Sequence, residues 1–231
     1  MKKRGAGNVE FILSFMLFIS FTVAALYFFN PVRGVQNLES SKNYVVNTII
    51  ANTSVSLEAY SIIISASSNI LSIEVSLPES KIPIGKNVRV VDYYGNVLSS
   101  NRNGNQVCFT RENDEKFATI YFSEDLKGDS APCAGSADYQ VASSISSKVL
   151  SEKRIMQLNN SYYGDYSSLK EQFNIPANMD FSFSFEFQNG KVISVERNAP
   201  LRKEVFSETK IKEILKEDGT SEFGYLTVRV W

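Results

Sequence analysis

The sequence predicts an α+β protein: an N-terminal transmembrane helix continues into an amphipathic helix, and an antiparallel β-sheet ectodomain with a small helical insertion follows. Three observations lead there. Residues 11–29 are an apolar run with no charge and no proline. Residues 35–57 set apolar side chains at helical spacing. From about Ile62 onward, short β-branched and aromatic runs alternate with Gly, Asn, Pro and Ser. The 231 residues leave room for one ordinary domain plus an anchoring segment. The expected divisions are a spanning helix over 6–30, its amphipathic continuation over 31–60, and an extracytoplasmic α+β domain over 61–231.

As a helix, the run from Phe11 to Phe29 covers about 28 Å, close to the thickness of a bilayer's hydrocarbon layer. Lys2, Lys3 and Arg4 form the only dense basic cluster, and such a cluster stays cytoplasmic, which puts the rest of the chain outside. A discarded secretory signal has an apolar core of about 7 to 15 residues, so this run is long for one, although Val23 and Ala25 would serve as small residues before a cut. Glu10 stands at its mouth. A carboxylate costs about 2.5–3.5 kcal/mol at the centre of a spanning helix and less near an end, and such a residue marks a partner. The competing reading leaves Glu10 solvated among lipid headgroups.

Lys3, Arg4, Gly5, Ala6 and then Glu10, followed by the apolar run, resemble the processing signature of type IV prepilin-like proteins. The stretch "RGAGNVEFILSF" is most similar to archaeal class III signal peptides and to the tight-adherence pseudopilins of bacteria. Ala6 stands where bacterial pilins carry Phe, and Pro31 lies further along than their helix-bending proline. The resemblance covers roughly residues 1 to 30. It implies a leader of residues 1–5, a processing site at Arg4, Gly5 and Ala6 cut by a prepilin peptidase, and Glu10 as fifth residue of the mature chain. Cleavage would free an α-amino group on Ala6, positive at neutral pH. In a filament, the Glu10 carboxylate of one subunit would meet the Ala6 amine of its neighbour inside an apolar helix bundle. Low dielectric strengthens that attraction, and an unpaired charge there is costly. The implied function is structural: a major or minor pilin, or a pseudopilin, of a type IV pilus-like filament, not an enzyme and without a cofactor. Implied partners are the membrane, the peptidase, like or related pilin subunits, and an assembly ATPase with its platform. The implied location is the cytoplasmic membrane with the C-terminal domain outside, and the cell surface once assembled.

After Pro31, Val35, Leu38, Val45, Val46, Ile49 and Ile50 suit one face of a helix bent or broken near that proline. Strands are expected in "ILSIEVSLP", "NVRVVDYYGNVL", "QVCFTRE" and "FATIYFSE", with a tight turn at Tyr94-Gly95-Asn96 and an exposed loop over residues 101–105. Asp138 reads as the cap of a helix in which Val141, Ile145 and Val149 share a face, and a second short helix is expected from Tyr166 to Phe173. Phe181, Phe183, Phe185 and Phe187 then alternate with polar residues before Asn189-Gly190, a hairpin signal with Val192, Ile193 and Val195 returning. An aromatic stripe at period two reads as core rather than as a sugar-stacking platform. "EVFSETKIKEIL" and "FGYLTVRVW" flank Asp218-Gly219 as another hairpin. A strand ending at Trp231 is expected to be tied into a sheet.

Cys108 and Cys133 are the only cysteines, and in an oxidising compartment they read as one disulfide. Two buried thiols are the competing reading. A metal site is disfavoured, because two Cys without histidine make a poor zinc set. The complete absence of histidine also removes the general base that "GDSAPCAG" would need to work as a serine-protease nucleophile sequence. Ser167 and Lys170 have Ser-x-x-Lys spacing without the other motifs of penicillin-recognising enzymes, and read as a solvent-facing helix turn. Asn52 and Asn159 head N-glycosylation acceptor patterns. A net charge of −1 gives no reason to expect nucleic acid. Two other functions compete with the filament subunit. One is a signal-anchored, single-span surface protein that binds a ligand or another cell. The other is an anchored hydrolase built on paired carboxylates.

Overall fold

The computed structural model describes residues 6–29, 31–65, 72–77, 84–111, 116–133, 138–197 and 204–231. Two helices come first, α1 (Ala6–Phe29) and α2 (Pro31–Thr53), with Pro31 at a first helical position where its missing N–H costs nothing. Strand β1 (Ser54–Ile64) follows directly, then β2 (Ser72–Ser76), β3 (Asn87–Asp92), β4 (Val97–Leu98), β5 (Ser100–Asn103), β6 (Gln106–Thr110), β7 (Phe117–Ser123) and β8 (Tyr139–Ser151). Helices α3 (Glu152–Gly164) and α4 (Tyr166–Gln172) precede β9 (Phe181–Phe187), β10 (Val192–Val195), β11 (Phe206–Leu215) and β12 (Ser221–Val230). The α+β class is as predicted. One nine-stranded sheet has the order β10-β9-β12-β11-β8-β1-β7-β3-β4, and a three-stranded sheet has the order β2-β6-β5. Neighbours are antiparallel except β8 and β11, which meet in parallel at Leu150 with Ile214 and Ser151 with Leu215.

Three apolar clusters hold these layers. In the first, Val45, Val46 and Ile49 of α2 and Ile155, Leu158 and Tyr162 of α3 cover the sheet face that carries Phe181, Phe183, Phe185 and Phe187. All four phenylalanines are buried, so the period-two stripe is core, and Tyr162 sets its edge against the rings of Phe181 and Phe183. The side chains of Val35 and Leu38 lie outside the described residues. The second cluster packs Tyr60, Ile62, Ile120 and Phe122 of the large sheet against Ile73, Val75, Val107 and Phe109 of the small one. The third, Val55, Leu57, Leu126, Val149 and Leu215, joins the two halves. β1 runs from the third cluster into the second, and its buried positions change phase on the way: Val55 and Leu57, then Tyr60, Ile62 and Ile64. Alternate residues of a strand face opposite sides, so β1 packs first on one face and then on the other.

The expected turns form. Gly95 and Gly190 take φ of 86° and 83°, conformations a side chain would strain, and the Gly190 N–H donates to Phe187 O. Trp231 is tied into the sheet, its N–H donating to Asp180 O and the Asp180 N–H to Trp231 O. Lys210, Lys212, Glu213, Lys216 and Glu217 fall on β11 and the turn after it, with Lys210 paired to Glu208 and Lys216 to Glu222.

Three expectations are corrected. The amphipathic helix ends at Thr53 rather than running to residue 57 or 60, and 54–64 is strand. The hydroxyls of Thr53 and Ser54 donate to Ile49 O and Ile50 O, satisfying last-turn carbonyls, and the alternating residues beyond them fit a pleat better than a helix. The helix expected after Asp138 is β8 instead. A spacing of four is even, so it satisfies a strand too: Ile145 and Val149 stand opposite Ala59 and Val55 of β1. Serine and β-branched residues tip that choice, and the helix comes later, as α3, capped by Ser151. Of residues 101–105, expected as a loop, 101–103 belong to β5 and only 104–105 form an exposed turn, which joins β5 to β6 with Gly104 at φ 58°.

Behind the phenylalanine stripe, the Tyr162 hydroxyl donates to Phe181 O (2.6 Å), and the Tyr166 hydroxyl donates to Asp180 Oδ1 (3.0 Å) while accepting from the Phe181 N–H (3.1 Å). Burial pushes both phenols up, Tyr166 to about 12. The fold thus prefers the neutral phenol. That contribution is complete below the unfolded pKa of about 10 and is lost as pH rises to about 12. Denaturant titrations across this window should show wild-type stability falling more steeply with pH than that of Tyr166→Phe, which is less stable at neutral pH. Equal slopes would mean that Tyr166 ionises freely in the folded chain.

Candidate functional site

α1 is helical because nothing interrupts it: it has no proline and no glycine beyond Gly7, and the Thr22 hydroxyl donates to Phe18 O (2.8 Å) within the helix. Val9–Tyr27 is long and apolar enough to cross a membrane, a test that a signal sequence also passes, and none of it is buried against the rest of the chain. Phe11 is 75% exposed and Phe21 74%. Burying a side chain of that size is worth about 1.5–3 kcal/mol, so a helix apolar all round with no cover calls for surroundings other than water.

Glu10 is exposed, one turn along the helix from Ala6, a rise of about 6 Å. Ala6 is the first residue of α1, and Arg4 and Gly5 lie outside the described residues. Further along, α2 joins the domain: the Tyr44 hydroxyl donates to Phe173 O (2.9 Å) and Lys42 pairs with Glu208 at 3.4 Å. Arg154 secures the point where helix becomes strand. It donates to Ser54 O (2.8 Å), Asp125 (2.7 Å) and Glu124 (3.0 Å), tying α3 and the loop after β7 to the start of β1.

Cys108 and Cys133 form a disulfide, Cα atoms 5.2 Å apart, linking buried β6 to the segment after β7. This settles the open choice between a bond and two thiols. The rest of "GDSAPCAG" is structural where described. Asp129 pairs with buried Arg89 at 2.8 Å, and its carboxyl is held below the usual range first by the Ser130 N–H and then by Arg89. Residues 134–135 of that stretch lie outside the described residues. Asn52 sits in the last turn of α2, its amide donating to Thr48 O, beside the buried Thr53; Asn159 is half-buried within α3. The first acceptor pattern therefore straddles the end of α2 and the start of β1, and the second lies within α3, so neither is on a loop. Ser167 is solvent-facing as expected but Lys170 is not: its ammonium is buried on Asp180 Oδ1 (3.2 Å) and Ala177 O (3.0 Å). Among the described residues no group of three or more His, Cys, Asp or Glu is placed to hold a metal ion.

Sequence reasoning passes over one exposed group. Tyr93 and Tyr94 in the β3–β4 turn and Phe117 at the start of β7 lie together, ring centres 5.4 and 6.2 Å apart, with 75%, 80% and 50% of their surfaces exposed. The aromatic doublet inside a turn signal is the cue that could have found it.

Replacing both cysteines with serine should lower unfolding stability by roughly 3 kcal/mol, the entropy of a closed loop of this length. Denaturant titration under oxidising conditions measures it, and an unchanged midpoint would show that β6 needs no tether.

Compared with known proteins, the chain matches no family model, no curated protein and no solved structure.

Proposed function

We propose that this chain is a structural subunit of a type IV pilus-like surface filament, a pilin or pseudopilin processed after Gly5 and assembled through α1. One observation carries the reading: a helix apolar on every side, uncovered by its own chain, bears a single carboxylate one turn above the residue that processing would expose. Cutting before Ala6 leaves the first four N–H groups of the helix without intrahelical partners and adds an ammonium to the positive end of the helix dipole. A Glu10 carboxylate from the next copy would neutralise the ammonium and accept from part of that N–H set. In an apolar bundle, sliding by one turn would leave ammonium and carboxylate unpaired, so the pair fixes the register. The folded domain remains outside the membrane, held by α2. The other partners are those the N-terminal resemblance implies: a prepilin peptidase, related pilin subunits, and an assembly ATPase with its platform.

A second reading, a signal-anchored surface protein that binds a ligand or a cell through its domain, is favoured by the exposed Tyr93, Tyr94 and Phe117. The two part at the N-terminus. On the filament reading, mass spectrometry of membrane-extracted protein finds a chain beginning at Ala6, Gly5→Leu blocks that shortening, and Glu10→Gln is shortened but enters filaments at least tenfold less often than wild type. A chain that starts at Met1 supports the anchored surface protein.

A further inference from the structure

The nine-stranded sheet ends on short strands, β10 of four residues and β4 of two, as protected edges do. A longer open edge lies inside it. Among the described residues, β11 pairs with β8 only at Leu150 and Ser151, while β1 occupies the other side of β8 from Tyr139 to Leu150. β8 and β11 part from that junction over a cleft of about 390 Å³ lined by Ser54, Lys148, Lys212 and Glu213. Among the described residues, no strand pairs with the β8 edge facing away from β1 before the junction. A bulge at Ala142, between the pairs Ile62–Val141 and Ser61–Ser143, bounds the regular stretch at the other end. The stretch left between the bulge and the junction runs from Ser143, and residues 142–148 are all exposed, Ile145 at 64%.

Exposed edges are ordinarily guarded by charge or proline, and residues 143–147, Ser-Ser-Ile-Ser-Ser, have neither. They are also symmetric about Ile145. Two such strands laid antiparallel around a two-fold axis place Ile145 against Ile145, Ser144 against Ser146 and Ser143 against Ser147. Lys148, the one charge at the rim, falls opposite Ala142. The arrangement sets no like charges across the contact, pairs hydroxyls with hydroxyls and gives the apolar residue an apolar partner. A two-fold contact requires a surface complementary to itself, and this edge is one.

We propose that the open edge of β8 pairs antiparallel with the same edge of a second copy of this chain, about a two-fold axis at Ile145. This contact is separate from the α1 bundle and does not depend on processing after Gly5. Cysteine placement in the full chain, purified in detergent, tests it, since both native cysteines are already bonded. Cysteines at position 145 would lie about 4.5–5.5 Å apart between Cα atoms, within reach of a disulfide. At position 143 they would be about 14 Å apart. Under mild oxidation Ile145→Cys should give at least tenfold more covalent dimer than Ser143→Cys, and Ser143→Cys mixed with Ser147→Cys should cross-link again. Ile145→Lys should abolish the two-fold contact without altering the melting curve of the domain. Equal cross-linking at 143 and 145, or none at either, overturns the proposal; so does an Ile145→Lys protein that competes with Ile145→Cys for dimers as well as wild type. An unshortened chain that still cross-links at 145 would sink the filament reading and leave this contact standing.

Discussion

The long antiparallel pairing of β1 with β8 is the constraint on which the rest of the domain depends. Each half of the molecule has its own apolar cluster, one under α2 and α3 and one between the two sheets, and neither cluster reaches the other. β1 is common ground because it buries one face in the joining cluster and the opposite face in the second half. Its partner β8 supplies Val149 to the joining cluster and Leu150 to the first, before α3 begins. Two further ties keep the halves in register. The turn after β11 rests on the first half's neighbour, Gly219 lying so close to Arg89 that a β-carbon there would come within 2.7 Å of it, and the Lys127 N–H donates to Glu217 O. A domain built this way responds as one body even though its core is divided.

The chain separates two tasks by chemistry. The domain turns polar groups inward onto partners of its own, as with a buried lysine that closes on Asp180, and a disulfide fastens the small sheet. The first helix does the opposite, presenting apolar surface that nothing in the chain covers. An arrangement of this sort is stable only where lipid or other copies of the helix replace water, which is why the single carboxylate near its start matters to the proposed assembly.

Much of the fold was legible in local patterns. The phenylalanine alternation, the Asn189-Gly190 and Asp218-Gly219 turns and the uninterrupted apolar run each fix a structure through contacts between near neighbours in sequence. What escaped was decided at a distance. Val141, Ile145 and Val149 fit a helix and a strand equally well, and pairing with β1, some ninety residues earlier, settles the matter. The end of α2 escaped for the same reason, because Val55 and Leu57 are buried by Leu126, Val149 and Leu215 rather than by a helical neighbour. Of the candidate site, Glu10 and its helix could be read directly, and so could the cysteine pair. The buried role of Lys170 could not, since Asp180 sits beyond a turn, and the open edge of β8 exists only because β11 leaves it.

α2 passes into β1 with no linker, Thr53 being helix and Ser54 strand, and β1 lies between β7 and β8. Tension drawn along α1 would first load the contacts that dock α2 on the domain, among them Tyr44 on Phe173 O and Lys42 on Glu208, and beyond them a strand bonded on both sides. With a partner on each side, that strand cannot be peeled away as an edge strand can. Resistance to pulling is a matter of unfolding rate rather than of equilibrium stability, so a domain of ordinary thermodynamic stability hung in this way would withstand a tug out of proportion to its melting point.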